Sequence, residues 1–356
     1  MDGIDVAMVR TDGQALVEFG PTLAVEYSVE FRRRIEAGLL DASHISDRLQ
    51  RPGSTSELER ELTDRHSEAV IEFLAVNQLN SKDIDLLGFH GQTVLHRPDD
   101  GLTVQLGDGQ RLAKATGIDV VFDMRAEDMI AGGQGAPLVP VFHQALAGDA
   151  LLKQPVCFVN IGGISNISYV DGDDLIAFDS GPGNSLIDQW VQAKGGIPYD
   201  QGGRIASEGH VVQPVVDQFL GSEFFRKPGP KSLDRGDFKP LNPGAAELSD
   251  GARTLAHITA ASIHKSVEHL PKTPVTWVLC GGGRLNQAIV SDLTAMVAQT
   301  GGVVMLSEEA NLQGDMLEAQ AFGYLAVRSQ RGLPLTYPTT TGCHEATCGG
   351  EFAPAR

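Results

Sequence analysis

Apolar and polar positions alternate from the start of the chain. Ile4, Val6 and Met8 are separated by Asp5, Ala7 and Val9, and Asp12-Gly13 follows. A period of two closed by Asp-Gly predicts a strand entering a hairpin turn. The period then changes. Over 57–76, Leu58, Leu62, His66, Ala69, Val70, Phe73 and Leu74 fall on one helical face,. His66 on that face reads as a hydrogen-bonded core histidine rather than a ligand. "DLLGFHG" (85–91), "TVQLG" and "DVVFD" are short strands, "RAEDMIAGGQGAPLVP" is loop-like, and a helix is expected over 139–146.

A second set follows. "VCFVNIGGISNISYV" predicts strand, Gly turn and strand over 156–170. "DLIAFDSGPGNSLIDQWVQA" predicts a strand ending at Asp179, a turn through Gly181-Pro182-Gly183, and a helix. Helix is expected over 251–269, then strand, Gly turn and helix in "VTWVLCGGGRLNQAIVSDLTAMV". "GVVMLS" is a strand and "GDMLEAQAFGYLAVRS" a final helix. Strands alternating with helices predict an α/β protein, in two halves joined near 131–140. The Pro-, Gly- and charge-rich segment 221–250 is expected to be a long ordered loop.

Composition narrows the class. The 356 residues carry a formal charge of −18, the wrong sign for a non-specific nucleic-acid or anionic-membrane binder. No run of about 18 apolar residues occurs, so no membrane span is expected. The expectation is an acidic, soluble, cytoplasmic-type protein. Four Cys do not make a disulfide framework,. Cys157 and Cys280 lie in apolar runs and should be buried thiols. "CHEATC" brings together Cys343, His344 and Cys348, but a fourth ligand is wanting; it reads as a plain tail, and no metal ligands are assigned.

Forty-one glycines cluster in "AGGQGAP", "NIGGISN", "SGPGN" and "CGGGRLN", as expected where backbone approaches a ligand closely. Asp179 stands at a strand end, where α/β proteins bind ligands. It is either a general base or a cap for the following helix. The "NIGGISNIS" turn suits an anion or simply closes a hairpin. "LCGGGRLN" looks like a nucleotide-binding turn, yet it is neither G-x-G-x-x-G nor Walker A. "GFHGQTVLHRP" packs His90, Gln92, Thr93, His96 and Arg97 beside a strand end, suited to a sugar or to a hydrogen-bonded turn. Asp123, Arg125, Glu127, Asp128 and Gln134 form a similar group.

Taken in order, "GFHGQTVLHRP", "FDMRAEDMIAGGQGAPLVPVFH", "NIGGISNIS", "FDSGPGNSLIDQW", "LCGGGRLN" and "GDMLEAQAFGYLA" resemble the 1,6-anhydro-N-acetylmuramic acid kinase family over about 85–325. The resemblance implies the two-lobed α/β fold of hexokinase, actin and Hsp70 (ASKHA), with ATP and Mg²⁺ in a central cleft. Lobe one would span 1–132 with 326–356 returning to it, and lobe two 133–325. It implies hydrolytic opening of the anhydro sugar and phosphorylation of O6, in the cytoplasm, by a homodimer. By resemblance, Asp179 is the base that activates water, and His90, Gln92, Thr93 and Glu318 serve the sugar. Asp2, Gly3, Asp5, Asn160, Gly162, Gly163, Asn166, Gly181, Gly183, Asn184, Gly281, Gly282, Gly283 and Asn286 serve the nucleotide. Asp315, Glu318 and Gln320 should open the last helix, where carboxylates also simply complement the dipole.

In that family a strand and a Gly-Thr-Ser phosphate turn stand before "DGID", here Asp2–Asp5. The expectation is therefore a first lobe lacking an interior strand, either because the natural start lies upstream of Met1 or because this is an inactive homologue. The rival functions are a sugar-binding sensor and another sugar kinase of the same fold.

Overall fold

The computed structural model describes residues 3–149, 151–233, 236–242 and 244–356. Two units divide it: Met1–Leu146 with Met316–Arg356, and Ala147–Asp315. Strands β1 (Gly3–Thr11) and β2 (Val17–Glu26) form the expected antiparallel hairpin. The Asp12 carboxylate builds its turn by accepting the amides of Gln14 at 2.8 Å and Leu16 at 2.9 Å. Helix α1 (Val29–Ala42) is capped by Ser28, whose hydroxyl accepts the Phe31 amide,. Helix α2 (Thr55–Val76) buries Leu58, Leu62, Ala69, Val70, Phe73 and Leu74, the face its spacing predicts. His66 is a satisfied core residue: its Nδ1 lies 2.8 Å from the Leu62 carbonyl and its ring meets the Phe89 ring edge-on. Burial pushes its pKa down to about 4,.

Next come β3 (Leu87–Gly88), β4 (Gln92–Arg97), β5 (Leu102–Leu106), α3 (Gly109–Thr116) and β6 (Val120–Phe122). The Gly-rich stretch expected to be all loop contains a short helix, α4 (Ala126–Ile130), before α5 (Pro140–Leu146).

The second unit is one five-stranded sheet with helices. β7 (Val156–Ile161), β8 (Ile164–Asp171) and β9 (Asp174–Pro182) are antiparallel neighbours. After α6 (Ser185–Gly195), α7 (Gln213–Leu220) and α8 (Leu248–Lys265) come β10 (Thr276–Cys280), α9 (Gln287–Gln299) and β11 (Val303–Leu306). The sheet order is β11-β10-β7-β8-β9, with β11, β10 and β7 parallel. Trp277, Phe158, Tyr169 and Phe178 are wholly or almost wholly buried in it. The expected helix over 251–269 starts earlier and gives way to a 3-10 turn at Ser266–His269.

The chain then returns to the first unit as α10 (Leu317–Gln330) and β12 (Glu351–Ala353). β12, β6 and β3 form a second small sheet there, and β4 pairs with β5. The division falls at 146/147 and 315/316 rather than at 132/133 and 325/326. Helix α5 belongs with the first unit because Phe142 packs on Tyr324 of α10, ring centroids 5.4 Å apart.

Candidate active site

β7 and β10 are parallel, and β9 runs in the same direction as β7, so three glycine turns emerge on one edge of the sheet. They converge closely. The amides of Gly183, Asn184 and Ser185 donate to the carbonyls of Gly163, Gly162 and Gly163 at 3.0, 2.7 and 3.2 Å. A side chain on Gly183 would lie 2.2 Å from the Gly162 carbonyl oxygen, and one on Gly283 would lie 2.2 Å from Ile161. Gly281 has φ +73°, and a side chain there would stand 2.4 Å from Asn160 Oδ1. Glycine is therefore required by contact at Gly183, Gly281 and Gly283, in the second and third turns, whereas a side chain on Gly162 or Gly163 would meet only ordinary contacts at 3.5 and 3.6 Å,. Asn184 joins them, its amide group donating to the Ile161 carbonyl.

Beside these turns a polar row crosses three strands. Asn160 pairs with Asn166, and Asn166 with Asp179. Directly paired residues share one face, so the three side chains form a line across the sheet. Asp179 does not end its strand. β9 continues to Pro182, with Gly181 opposite Ser165 and Pro182 opposite Ile164 after a bulge. Proline is tolerated because β9 is an edge strand. Nor does Asp179 cap α6 in its described contacts. Its Oδ2 accepts the Leu233 amide at 2.8 Å, and its own amide donates to the Lys231 carbonyl at 2.9 Å. The 221–250 segment is thus tied to the strand at the carboxylate itself.

Arg284, 3 % exposed, holds the third turn. It donates to Glu308 at 2.7 and 2.9 Å, to Asp315 at 2.9 Å and to the Gly281 carbonyl at 3.1 Å. Asp315 accordingly lies ahead of α10 as an ion-pair partner, not in its first turn. Asn286 is the N-cap of α9, its Oδ1 accepting the amides of Ala288 and Ile289. Cys157 and Cys280 are buried thiols, and burial pushes Cys280 up to about 12.

The first unit holds the other group. Arg125 Nη2 donates to His90 Nε2 at 3.0 Å, and its Nη1 to the Gly135 carbonyl at 2.8 Å. Burial and the Arg125 charge push His90 down to about 3, so the ring is neutral and its proton sits on Nδ1. Its face packs on Phe322 of α10, centroids 4.5 Å apart. Thr93 accepts a hydrogen bond from Gln105, while Gln92 donates to the Thr93 carbonyl. Burial lowers the pKa of Arg125, and the charge of Glu318, exposed in the first turn of α10, opposes that shift. Arg125 Nε and Gln105 Oε1 are buried polar atoms with no hydrogen-bond partner among the described residues, as expected of groups waiting for a polar ligand.

The model of the anhydro-N-acetylmuramic acid kinase family matches residues 1–355. The chain belongs to that family. An anhydro-N-acetylmuramic acid kinase of Rhizobium etli is 54% identical over 355 residues, covering 99% of this chain and 95% of the relative. That of Agrobacterium fabrum is 52% identical over 353 residues, 98% and 95% of the two chains. Among solved structures, the ADPNP-bound activator of the 2-hydroxyisocaproyl-CoA dehydratase from Clostridium difficile aligns with 93% of this chain and 98% of its own, at 9% identity and a TM-score of 0.40. That likeness is too low to bear on fold or function.

Within the anhydro-N-acetylmuramic acid kinase family frame, the second unit assembles Asn160, Gly162, Gly163, Asn166, Asp179, Gly181, Gly183, Asn184, Gly281, Gly282 and Gly283 along one sheet edge, and spends Asn286 on a cap. His90 and Gln92 lie in the first unit with Gly3, Asp5 and Glu318, all lining one cavity. Asp2 lies outside the described residues. Sequence reading overlooked Arg284, whose partners are 24 and 31 positions away, and Gln105, which looked like any polar residue in a strand. Arg125 was noted for its donors, but nothing in the sequence signals its contact with His90.

Proposed function

We propose that this chain opens 1,6-anhydro-N-acetylmuramic acid and phosphorylates it, with ATP as donor, to give N-acetylmuramic acid 6-phosphate in cell-wall murein recycling. The family match across 1–355 supports the reaction, and the Asn160–Asn166–Asp179 row beside three converging glycine turns supports its placement in the second unit. The proposed fold family is that of hexokinase and actin, and the proposed setting is cytoplasmic and homodimeric.

In this reading Asp179 takes a proton from water as the water attacks the anomeric carbon. The bond from that carbon to O6 breaks, and O6 keeps the electron pair. O6 then accepts the γ-phosphoryl group, and ADP leaves. The Leu233 amide fixes the Asp179 carboxylate. The glycine turns, the third of them pinned by Arg284, would admit phosphates close to backbone amides. His90, Gln92, Thr93, Arg125 and Glu318 are proposed to hold the sugar. The muramic carboxylate would suit Arg125, whose Nε is free for it.

Among the described residues no group of three or more His, Cys, Asp or Glu forms a metal cage. That suits Mg²⁺ carried chiefly by phosphate oxygens and water, where it neutralises charge on the transferred group. Incubating the chain with anhydro sugar, ATP and Mg²⁺ in oxygen-18 water is expected to give a sugar phosphate labelled at the anomeric hydroxyl and not at the phosphate. A folded, nucleotide-binding protein that forms no such product overturns the reading.

A further inference from the structure

β9 is the last strand of its sheet, and at Asp179 its outer edge is met by a strap of chain. The Asp179 amide donates to the Lys231 carbonyl at 2.9 Å, and Asp179 Oδ2 accepts the Leu233 amide at 2.8 Å. The strap starts from an anchor, the 3-10 turn Glu223–Arg226. Phe225 is buried there, its ring stacked on Phe238 and its carbonyl 2.8 Å from His269 Nε2. Beyond that anchor Lys227 and Pro228 are exposed and give the strap little packing of their own. Lys231 ties it back. Its Nζ donates to the carbonyls of Phe224 at 3.1 Å and Lys227 at 2.8 Å. The ammonium also lies 4.5 Å from the centre of the Phe224 ring and 5.3 Å from that of Phe178, the residue before Asp179,. Burial lowers it to about 8, with Glu268 opposing the shift and Lys265 adding to it. It is therefore cationic at pH 7, and its two hydrogen bonds are charge-assisted.

We propose that Lys231 is a positioning residue for Asp179: its side chain closes 224–231 into a fixed loop, and the backbone of 231–233 then holds the carboxylate in its row with Asn166. The inference rests on the proposed reading of Asp179 as the base. One residue touches two consecutive positions of β9, Phe178 with its side chain and Asp179 with its backbone. A base must stand within hydrogen-bond reach of one water, and a misplacement of about 1 Å can cost roughly 10²-fold in rate. Two rings and two charge-assisted bonds give the strap a stiffness that its exposed residues do not. A lysine that served the fold alone would change stability and leave the turnover of each folded molecule as it was.

The test compares the full chain with Lys231→Met, which keeps the apolar stem and removes the ammonium, and with Lys231→Arg, which restores a cation and donors. Lys231→Met is expected to lower kcat about 10- to 100-fold, with the KM for ATP and the calorimetric affinity for the anhydro sugar within about twofold of the unaltered chain. Lys231→Arg should recover most of that loss. Amide exchange followed by NMR should quicken about tenfold at Asp179 and Leu233 in Lys231→Met and stay unchanged in β7. Unchanged kcat, a rise in KM or loss of sugar affinity as large as the fall in kcat, no recovery in Lys231→Arg, or unchanged exchange at the two amides overturns the proposal. Failure of both variants to fold overturns it too, since the lysine then serves the fold. If the unaltered chain yields no sugar phosphate, the reading of the reaction fails instead, and exchange at Asp179 and Leu233 alone decides whether Lys231 fixes the carboxylate.

Discussion

Asp179 accepts one backbone amide and stands next to Asn166 in the cross-strand row. Asp179→Asn keeps its size and much of its hydrogen bonding while removing proton acceptance. If it is the base, kcat should fall by about 10²–10⁴, with sugar binding by calorimetry nearly unchanged. Glu318→Gln should do the reverse, weakening sugar affinity with a smaller fall in turnover. Near wild-type kcat in Asp179→Asn would leave the water needing another acceptor. Asp188, in the first turn of α6, behaves differently. Burial and then the charge of Asp200 raise its pKa to about 6. A raised carboxylate gives stability that is full below pH ~4 and lost as the pH climbs through ~6. Asp188→Asn should therefore stabilise the protein at pH 7 by about 1 kcal/mol, allowing for partial solvent exposure, and by nothing below pH ~4. A denaturation series across that range measures it, and a gain equal at all pH values would refute the assignment.

Among the elements, α9 depends on its first residue. Asn286 caps it and is buried against Gly203. Asn286→Ala should cost about 1 kcal/mol in chemical denaturation, while Asn286→Asp should cost much less. If both lose the same amount, the cap is not what Asn286 supplies. Legibility differed by element for physical reasons. Helix α2 and strands β7 and β10 carry an apolar period that their burial enforces, so they could be read directly. Helix α1 could not, because its buried stripe of Phe31, Ile35, Gly38 and Ala42 is half small residues. β9 ran past its expected end because an edge strand tolerates Gly and Pro where an interior one does not. The convergence of the glycine turns was legible as three separate clusters. The fixing of Asp179 by 221–250 and of Gly281 by Arg284 was not, since both depend on contacts distant in sequence.

At the scale of the molecule, acid sensitivity should be uneven. His66, His90 and His143 all lie in the first unit, and burial lowers them to about 4, 3 and 3. A histidine held neutral in the fold but free to protonate when unfolded gives stability that is complete above pH ~6.5 and falls as the pH drops below it. At pH ~5.5 each should remove about 1 kcal/mol. Amide exchange is expected to quicken first in 3–146 and 316–356 as the pH falls from 7 to 5, ahead of 147–315. Acceleration beginning in 147–315 would contradict the distribution of these histidines.

The first unit is written in two pieces, Met1–Leu146 and Met316–Arg356, with the other unit between them. β6 finds its neighbour β12 only when the last residues have been made. At about 5–20 residues per second, translation from Leu146 to Arg356 takes on the order of 10–40 s. For that interval the amino-terminal piece waits on the ribosome without α10 or β12, its strand edges open to other chains. The inserted unit, continuous in sequence, can close meanwhile. Ribosome-bound intermediates halted near residue 315 should thus hold a protease-resistant core from 147 onward and a sensitive leading half, making this half the natural client of a nascent-chain chaperone.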